Sequence, residues 1–302
     1  MDTKEILKRV KRIELKSKRK ASNLFMGEYQ SSFKGRGMIF SEVRPYQYGD
    51  DVRNIDWNKT ARYNEPYVKV FEEERELTMY LLIDISASET FGTRKQLKME
   101  TIAEVAASLA FSAITYNDKV GLILYTDEIE LFIPPKKGKQ HVLRIIREII
   151  TFTPKHKGTN LKQTLEQFVK IARRKSNVFI ISDFIDSSDY EKPLRIASVK
   201  HDITGLRIFD EKETFFPNIG LVNIQDQETG EVRLIDTSAS EVRKQYAAYY
   251  ADLEKQFHAI FKKNKAGSLS VQSDHDYVIP LLNLYLYLLH VQPQHLNQVQ
   301  LL

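Results

Sequence analysis

The chain has no cysteine among its 302 residues, which excludes disulfide bonds, thiolate metal sites and a cysteine nucleophile. Its seven histidines do not have the spacing of zinc ligands, such as H-E-x-x-H, so a zinc site is not indicated. The G-x-x-x-x-G-K loop that holds nucleotide phosphates is also missing, which argues against intrinsic ATP hydrolysis of the P-loop kind. Any functional site must therefore be built from other side chains.

Long apolar runs are missing as well. The stretch VIPLLNLYLYLL near the C-terminus is about 12 residues long, which is too short to span a bilayer. The N-terminus is charged and does not resemble a secretory signal. We therefore expect no membrane span and a cytoplasmic location.

The first twenty residues, MDTKEILKRVKRIELKSKRK, contribute to the net charge of +5 and the isoelectric point near 9.0. Ile6, Val10 and Ile13 recur there at helical spacing, with Lys and Arg on the other faces. Such a helix could contact anionic lipid or nucleic acid, but it is more often a solvated surface helix. No nucleic-acid-binding motif accompanies it, so we expect no nucleic-acid partner.

From residue 77 onward, apolar runs alternate with helical patterns. The predicted strands span 78–86, 119–126, 129–134, 177–184 and 202–210, and the predicted helices span 94–117, 140–152 and 160–174. A hairpin is predicted over 220–236, and a long helix then runs to Gly267 after Ser238 and Glu241, which have capping-box spacing.

Strands separated by such helices need crossover connections, which indicates an α/β fold with a doubly wound, mostly parallel sheet. We expect a basic helix and signature segment over 1–76, the α/β domain over 77–267 and an apolar tail over 268–302.

Oxygen-bearing side chains follow the predicted strands where ligands bind in such a fold, outside the carboxyl ends of the parallel strands. They are Asp84, Ser86 and Ser88 after the first strand, Asp183 after the strand VFIIS, and Thr159 in a loop before a helix. Each alone is more often part of a turn or a helix cap. Together they are hard donors without imidazole or thiolate, and they predict Mg²⁺, Mn²⁺ or Ca²⁺.

Three segments, DISAS (84–88), KGTNL (157–161) and ISDF (181–184), resemble the loops of a von Willebrand factor A domain with a metal-ion-dependent adhesion site. The resemblance implies that Ser86, Ser88 and Thr159 ligate the metal directly, and that Asp84 and Asp183 act directly or through water. Neutral hydroxyls leave much of the ion's charge uncompensated, so a carboxylate from a protein ligand can complete its shell.

Upstream, RPYQYGDDVRNIDWNKTARYNEPYVKVFEEE (44–74) resembles the signature of the bacterial family known as domain of unknown function fifty-eight. Its members commonly accompany AAA+ ATPases of the MoxR type, so the resemblance, which covers about residues 30–210, implies an adaptor for such an ATPase. Many members have membrane anchors before this region, and this chain has none there, which implies a soluble form.

The signature segment has two interpretations. Its charged residues could pair among themselves while Trp57 anchors the segment, or the segment could face a partner. The charged residues concerned are Asp50, Asp51, Arg53, Asp56 and Arg62.

The rival function is Mg²⁺-dependent phosphoryl transfer with Asp84 as the nucleophile, as in haloacid-dehalogenase-like phosphatases. That chemistry needs a second acid two residues later as the general acid, and this chain has Ser86 there. We therefore expect a binding module and not an enzyme.

Overall fold

The structure is a computed structural model and describes residues 38–63, 65–73, 77–87, 95–115, 117–225, 231–273, 275, 277 and 280–281. The basic helix predicted over 1–20, the candidate ligand Ser88 and most of the apolar tail lie outside these residues. Among the described residues, no helix is both long and apolar enough to cross a membrane.

The described residues form two compact units, which are divided between Leu77 and Thr78. In the smaller unit, strand β1 (Met38–Pro45) pairs antiparallel with β2 (Tyr67–Glu73). A 3₁₀ turn (Val52–Asn54) and helix α1 (Trp57–Tyr63) lie between the two strands in sequence. The sequence patterns predicted none of these elements, because no long periodic segment marks them.

Ion pairs inside the smaller unit agree in part with the scaffold interpretation. Asp51 pairs with Arg53 at 2.8 Å as predicted, but Asp50 pairs with Arg44 and Asp56 with Lys69. Trp57, the only tryptophan and the expected anchor of the segment on the main domain, is 70% exposed, and its anchoring role stays a prediction.

The larger unit is built on a six-stranded sheet with the order β10-β7-β6-β3-β4-β5. All neighbouring strands are parallel except β4 and β5, so the predicted doubly wound α/β fold is confirmed. The strands are β3 (Thr78–Asp84), β4 (Lys119–Tyr125), β5 (Ile129–Lys136), β6 (Asn177–Ser182), β7 (Asp202–Phe209) and β10 (Gly267–Gln272). A separate hairpin joins β8 (Leu221–Gln225) and β9 (Val232–Asp236), as predicted.

Five helices accompany this sheet among the described residues: α2 (Lys95–Thr115), α3 (Lys139–Thr151), α4 (Leu161–Ile171), α5 (Glu191–Lys200) and α6 (Ser240–Lys263). The sequence patterns missed α5, which is short, and β10, which extends the sheet beyond the boundary expected at residue 267.

The predicted capping box of α6 does not form. Ala239 is the N-cap, and the Ser238 hydroxyl instead donates to Asp236 Oδ1 at 2.6 Å. The Arg243 guanidinium donates to the backbone carbonyls of Thr237 and Ser238, both at 2.7 Å. The first turn of α6 is thus held by an arginine and not by a serine.

The core of the larger unit lies on both faces of the sheet, because successive strand residues point to opposite sides. Tyr80 and Leu82 belong to a buried cluster with residues of α4, α5 and α6, including Phe168 and Phe261. The alternate residues are equally buried, with Leu81 at 0% exposure, and α2 packs along that side. Burial on both faces explains why β3, β4 and β6 are continuous apolar runs.

Candidate functional site

The strand order reverses at the centre of the sheet, which places the ends of two non-consecutive strands side by side. From β3 the chain proceeds outward through β4 and β5, whereas β6, on the other side of β3, leads outward through β7 to β10. Ile83 of β3 is level with Ile181 of β6. Asp84 ends β3 and Asp183 directly follows β6, so both aspartates lie at the carboxyl edge where ligands bind in open α/β sheets.

Asp84 is fully buried and hydrogen-bonded through both carboxylate oxygens. Oδ1 accepts from the Ser86 backbone amide at 2.9 Å, and Oδ2 accepts from the Ser182 hydroxyl at 2.8 Å. Even so, the pKa of Asp84 is raised to about 7, first by burial and then by the negative charge of Asp183. Two adjacent buried carboxylates therefore have more negative charge than their hydrogen bonds compensate.

Asp183 is also buried, with an exposure of 3%. Its Oδ1 accepts from the Ile185 amide at 3.0 Å, and its Oδ2 lies 3.3 Å from the Lys98 ammonium. The next residue, Phe184, has a φ of 57°, in the left-handed region that is unfavourable for a bulky side chain. Such strain is held in place by surrounding structure and clusters at functional sites.

Lys98 is a part of the site that the sequence patterns missed. Its side chain is 3% exposed, and its ammonium also lies 3.5 Å from Glu213 Oε2. Burial raises the pKa of Glu213, whereas Lys98 lowers it. The sequence did contain a signal for this role. Lys98 lies on the same helical face as Ile102 and Val105, which are buried. Because a lysine is rarely buried without a charged partner, its place on an apolar face predicts a nearby carboxylate.

The loop that contains Thr159 is attached to the residues that follow β3 and β4. The Ala87 amide donates to the Lys157 carbonyl at 2.9 Å, and the Asn160 amide donates to the Thr126 carbonyl at 3.0 Å. A Cβ on Gly158 would collide with the carboxylate of Asp127, so any larger residue at this position would displace that exposed side chain. The backbone thus brings the second predicted loop, 157–161, to the same edge as Asp84.

Glu130, on β5, holds the start of this loop. Its carboxylate accepts from the amides of Lys155 and His156 at 2.8 to 3.0 Å and from the Thr126 hydroxyl at 2.8 Å. Burial would raise the pKa of Glu130, but the hydrogen bonds from these amides outweigh it and lower the pKa. Sequence reasoning missed this role, because it depends on a contact across 25 residues.

The loop's other end is held by capping of α4. The Asn160 side chain accepts from the Gln163 amide at 2.9 Å, and Asp186 Oδ2 accepts from the Leu161 amide at 2.8 Å. Asp186 lies in the loop that follows Asp183, so the second and third predicted loops are joined. The positions of Thr159 and Asp183 along the edge are therefore coupled.

The structure brings together four of the five predicted residues, Asp84, Ser86, Thr159 and Asp183, and the fifth, Ser88, is not among those described. In the described part of the chain, no group of three or more His, Cys, Asp or Glu side chains is placed to hold a metal ion. A divalent ion here would thus depend on hydroxyl ligands as well as on Asp84 and Asp183. The residual negative charge of that pair fits a cation.

Residues 42–256, more than half of the chain, match the profile of the family described as "Protein of unknown function DUF58". The chain belongs to this family. A relative from Mycobacterium tuberculosis strain H37Rv, the "Uncharacterized protein Rv1480", is 28% identical over 287 residues, which cover 93% of this chain and 89% of the relative. The family description assigns no function.

Two solved structures resemble the DUF58 chain at low sequence identity. An aerotolerance-related membrane protein from Bacteroides fragilis has 13% identity and a TM-score of 0.48, and the alignment covers 71% of this chain and 99% of that one. The SpRpn10 VWA domain has 14% identity and a TM-score of 0.37, with 74% of this chain and 99% of that domain covered. Because both TM-scores lie below 0.5, the family assignment rests on the sequence match and the fold on the sheet itself.

Proposed function

We propose that this DUF58 protein is a cytoplasmic von Willebrand factor A-type interaction module that binds a divalent cation, Mg²⁺ or Mn²⁺ or Ca²⁺, at the carboxyl edge of its sheet. The observation that carries the proposal is the buried pair of Asp84 and Asp183 at the reversal of strand order, with negative charge left uncompensated. Hard oxygen donors with excess negative charge favour such ions over softer metals.

In this proposal, Ser86, Ser88 and Thr159 are the hydroxyl ligands, and Asp84 and Asp183 supply the charge. The hydrogen bonds from Ser86 and Ser182 fix the orientation of the Asp84 carboxylate. The ion would supply a coordination position for a carboxylate of a protein ligand. Since a charge-assisted contact is directional, one Asp or Glu of the partner would dominate specificity.

The proposed partner is a MoxR-type AAA+ ATPase, on the resemblance of the signature segment to its family. The module would act as an adaptor in complex assembly or maturation. The chain has no phosphate-holding loop of its own, so ATP hydrolysis belongs to the partner.

A phosphoryl-transfer enzyme is the less favoured alternative. A nucleophilic Asp84 would need contact with the phosphorus atom of a substrate, whereas its side chain is fully buried. The position two residues later is Ser86, whose hydroxyl is too weak an acid to serve as the general acid at neutral pH. Phosphomonoester hydrolysis with Mg²⁺ that disappears in Asp84→Asn would establish the enzyme instead.

Calorimetric titration with Mn²⁺ tests the metal site. We expect one site in the wild-type protein and none in Ser86→Ala or Asp183→Asn, with the folded circular-dichroism signal retained. Asp202→Asn is the matched control, because Asp202 begins β7 at the opposite edge of the sheet and should leave binding unchanged. Binding that survives both site variants would place the ion elsewhere.

The affinity of this protein for a MoxR-type ATPase, measured with and without EDTA, tests the proposed partner and the metal-bridged contact. We expect association to weaken in EDTA, and Thr159→Ala to weaken it equally without EDTA. Equal affinity in wild type and Thr159→Ala, with and without EDTA, would contradict a metal-bridged contact.

A further inference from the structure

A buried arginine on β7, Arg207, donates no hydrogen bond within the part of the chain that the structure describes. Its side chain is 3% exposed, and its ion pair there is with Glu254 Oε1, which lies 3.8 Å from Nη1 of the guanidinium. The guanidinium also lies over the Phe209 ring, 5.1 Å from the centroid. A guanidinium has several N–H donors, and buried polar groups are nearly always hydrogen-bonded. Arg207 therefore has donors to offer to a ligand.

The polar residues around Arg207 come from α6 and β10. Ser270 of β10 is level with Arg207 in the parallel pairing of the two strands, so both side chains point to the same face of the sheet. On this face, His258 of α6 has its Nε2 3.2 Å from Ser270 Oγ and its Nδ1 2.8 Å from Ser268 Oγ. We call Arg207, Glu254, His258, Ser268 and Ser270 the Arg207 cluster.

His258 determines how the Ser270 hydroxyl can donate. Burial lowers the pKa of His258, so the ring is neutral at neutral pH, and one of its nitrogens donates while the other accepts. In the tautomer with the proton on Nε2, Ser268 donates to Nδ1 and Nε2 donates to the Ser270 oxygen. The proton of the Ser270 hydroxyl is then available to an oxygen atom beside Arg207.

Glu254 is held loosely in the Arg207 cluster. Its Oε1 lies 3.8 Å from Arg207 Nη1 and 3.9 Å from His258 Nε2, and both distances are too long for hydrogen bonds. The Glu254 side chain is 42% exposed, so its carboxylate can turn into water without being left buried and unpaired. A ligand oxygen that came closer to Arg207 would gain hydrogen bonds that Glu254 does not make.

We propose that the Arg207 cluster binds a phosphate group, and that Glu254 competes with this group for Arg207. The guanidinium donates two parallel hydrogen bonds to two phosphate oxygens, and Ser270 donates to a third. A tetrahedral oxyanion presents oxygens in several directions, which suits donors from two strands better than a planar carboxylate does. Because β10 is the last strand of the sheet, an external molecule can approach the cluster from that edge.

This inference does not rest on the proposed function, because the cluster contains none of the proposed metal ligands. Two single variants should change the phosphate affinity in opposite directions. Glu254→Gln removes a competing negative charge, so phosphate should bind about tenfold more tightly. Arg207→Gln removes the positive charge and the paired donors, so phosphate should bind at least about tenfold more weakly.

Two further variants test a neutral donor and the overall charge. Ser270→Ala removes one hydrogen bond, so the affinity should fall by about fivefold. Glu241→Gln is the matched control, because Glu241 is exposed in the first turn of the same helix and its loss changes the overall charge as Glu254→Gln does. The control should bind phosphate as the wild-type protein does.

Calorimetric titration of the five full-length proteins with sodium phosphate, at constant ionic strength and in EDTA, measures these affinities without a bound cation. Tighter binding in Glu254→Gln and weaker binding in Arg207→Gln and Ser270→Ala support the proposal. If Arg207→Gln does not fold, Glu254→Gln and Ser270→Ala carry the test. Equal affinity or no binding in every folded protein would overturn it, and a lower melting temperature of Glu254→Gln would then mark a purely structural ion pair.

The source of the phosphate group is tested with alanine pentapeptides that have serine, phosphoserine or glutamate at the central position. Tighter binding of the phosphoserine peptide than of inorganic phosphate supports the proposal with a phosphorylated protein segment as the ligand. Equal or weaker binding of that peptide supports it with free phosphate as the ligand. A glutamate peptide that binds as tightly as the phosphoserine peptide would contradict the preference for phosphate.

Discussion

Glu130 is not a predicted metal ligand, but it supports the loop that contains one. Its carboxylate accepts hydrogen bonds from the backbone amides of residues 155 and 156, just before Thr159. Glu130→Gln replaces one acceptor oxygen with a donor that faces the Lys155 amide. We expect a loss of about 1 to 3 kcal/mol in the free energy of unfolding, the usual cost of a buried group left without its hydrogen bond. Urea denaturation measures this loss, and Mn²⁺ affinity should weaken with it.

Glu128→Gln is the matched control for Glu130, because the Glu128 side chain is 55% exposed on the same turn. It should change neither stability nor Mn²⁺ affinity. The pKa of Glu130 is lowered, so its stabilising contribution is present above the ordinary glutamate pKa and is lost as the pH falls below about 4.5. An effect of Glu130→Gln that persists undiminished at pH 3 would contradict this account.

His201 gives the protein a second acid sensitivity, far from the proposed metal ligands in sequence. The side chain is 1% exposed and packs on Phe168 with ring centroids 5.0 Å apart. Burial lowers the pKa of His201 from 6.5 to about 4, so folding favours the neutral ring. Stability should therefore fall as the pH drops from 6.5 to 4, by up to about 3 kcal/mol.

His201→Phe, which cannot ionise, should remove that part of the pH dependence. Unfolding free energies at pH 7, 5.5 and 4.5 for both proteins measure the difference. Parallel pH profiles in wild type and variant would show that His201 does not contribute.

Local sequence pattern was enough to place Asp84, Ser86, Thr159 and Asp183 at the carboxyl edge, because each lies at the end of a predicted strand or before a predicted helix. It missed Lys98, Glu130 and Glu213, whose roles depend on contacts between elements distant in the chain. Strand ends can be located from local pattern, but the partners of a buried charge follow from the packing of helices on the sheet.

At the scale of elements, the contact between α6 and β7 depends on Gly205. A Cβ at this position would lie 2.5 Å from the Phe261 ring and 2.9 Å from the Phe257 ring. Gly205→Ala should therefore destabilise the protein by about 1 to 3 kcal/mol through overpacking. Since Phe184 also packs on Phe257, at 4.4 Å between centroids, the Asp183 loop should loosen too.

Phe261→Leu in the Gly205→Ala background tests the cause. If the clash is with the ring, the smaller side chain should make the double variant lose less than the sum of the single losses. Strict additivity in urea denaturation would place the cost elsewhere.

Helix α1 differs from the helices of the larger unit because six of its seven residues are exposed, including Trp57. Trp57→Ala should change the free energy of unfolding by no more than about 0.5 kcal/mol, as is usual for exposed positions. The wild-type fluorescence should be that of a water-exposed indole, readily quenched by acrylamide. A protected, blue-shifted emission would contradict the exposure of this side chain.

The predicted elements that proved correct include those with strong periodicity, such as α3, and those with a continuous apolar run, such as β3 and β6. The missed ones lack such a signal. β10, with the sequence GSLSVQ, has two buried residues among six, and α5 has a proline, Pro193, in its first turn. Their places are determined by neighbouring elements more than by their own residues.

At the scale of the whole molecule, every strand of the six-stranded sheet comes from residues after 77. We therefore expect a fragment of residues 78–302 to fold by itself. It should show a far-ultraviolet circular-dichroism spectrum of α/β type and a single cooperative thermal transition. A fragment without cooperative melting would show that the sheet needs residues before Thr78.

The sheet order also has a consequence for synthesis on the ribosome. The central strand β3 emerges first, and the side formed by β6, β7 and β10 is added outward in the order of translation. The outer edge of β7 has no strand beside it until residue 272 has left the exit tunnel. Uncovered strand edges can pair with other chains, so at each stage before β10 is added the nascent protein is exposed to aggregation at the edge of its latest strand.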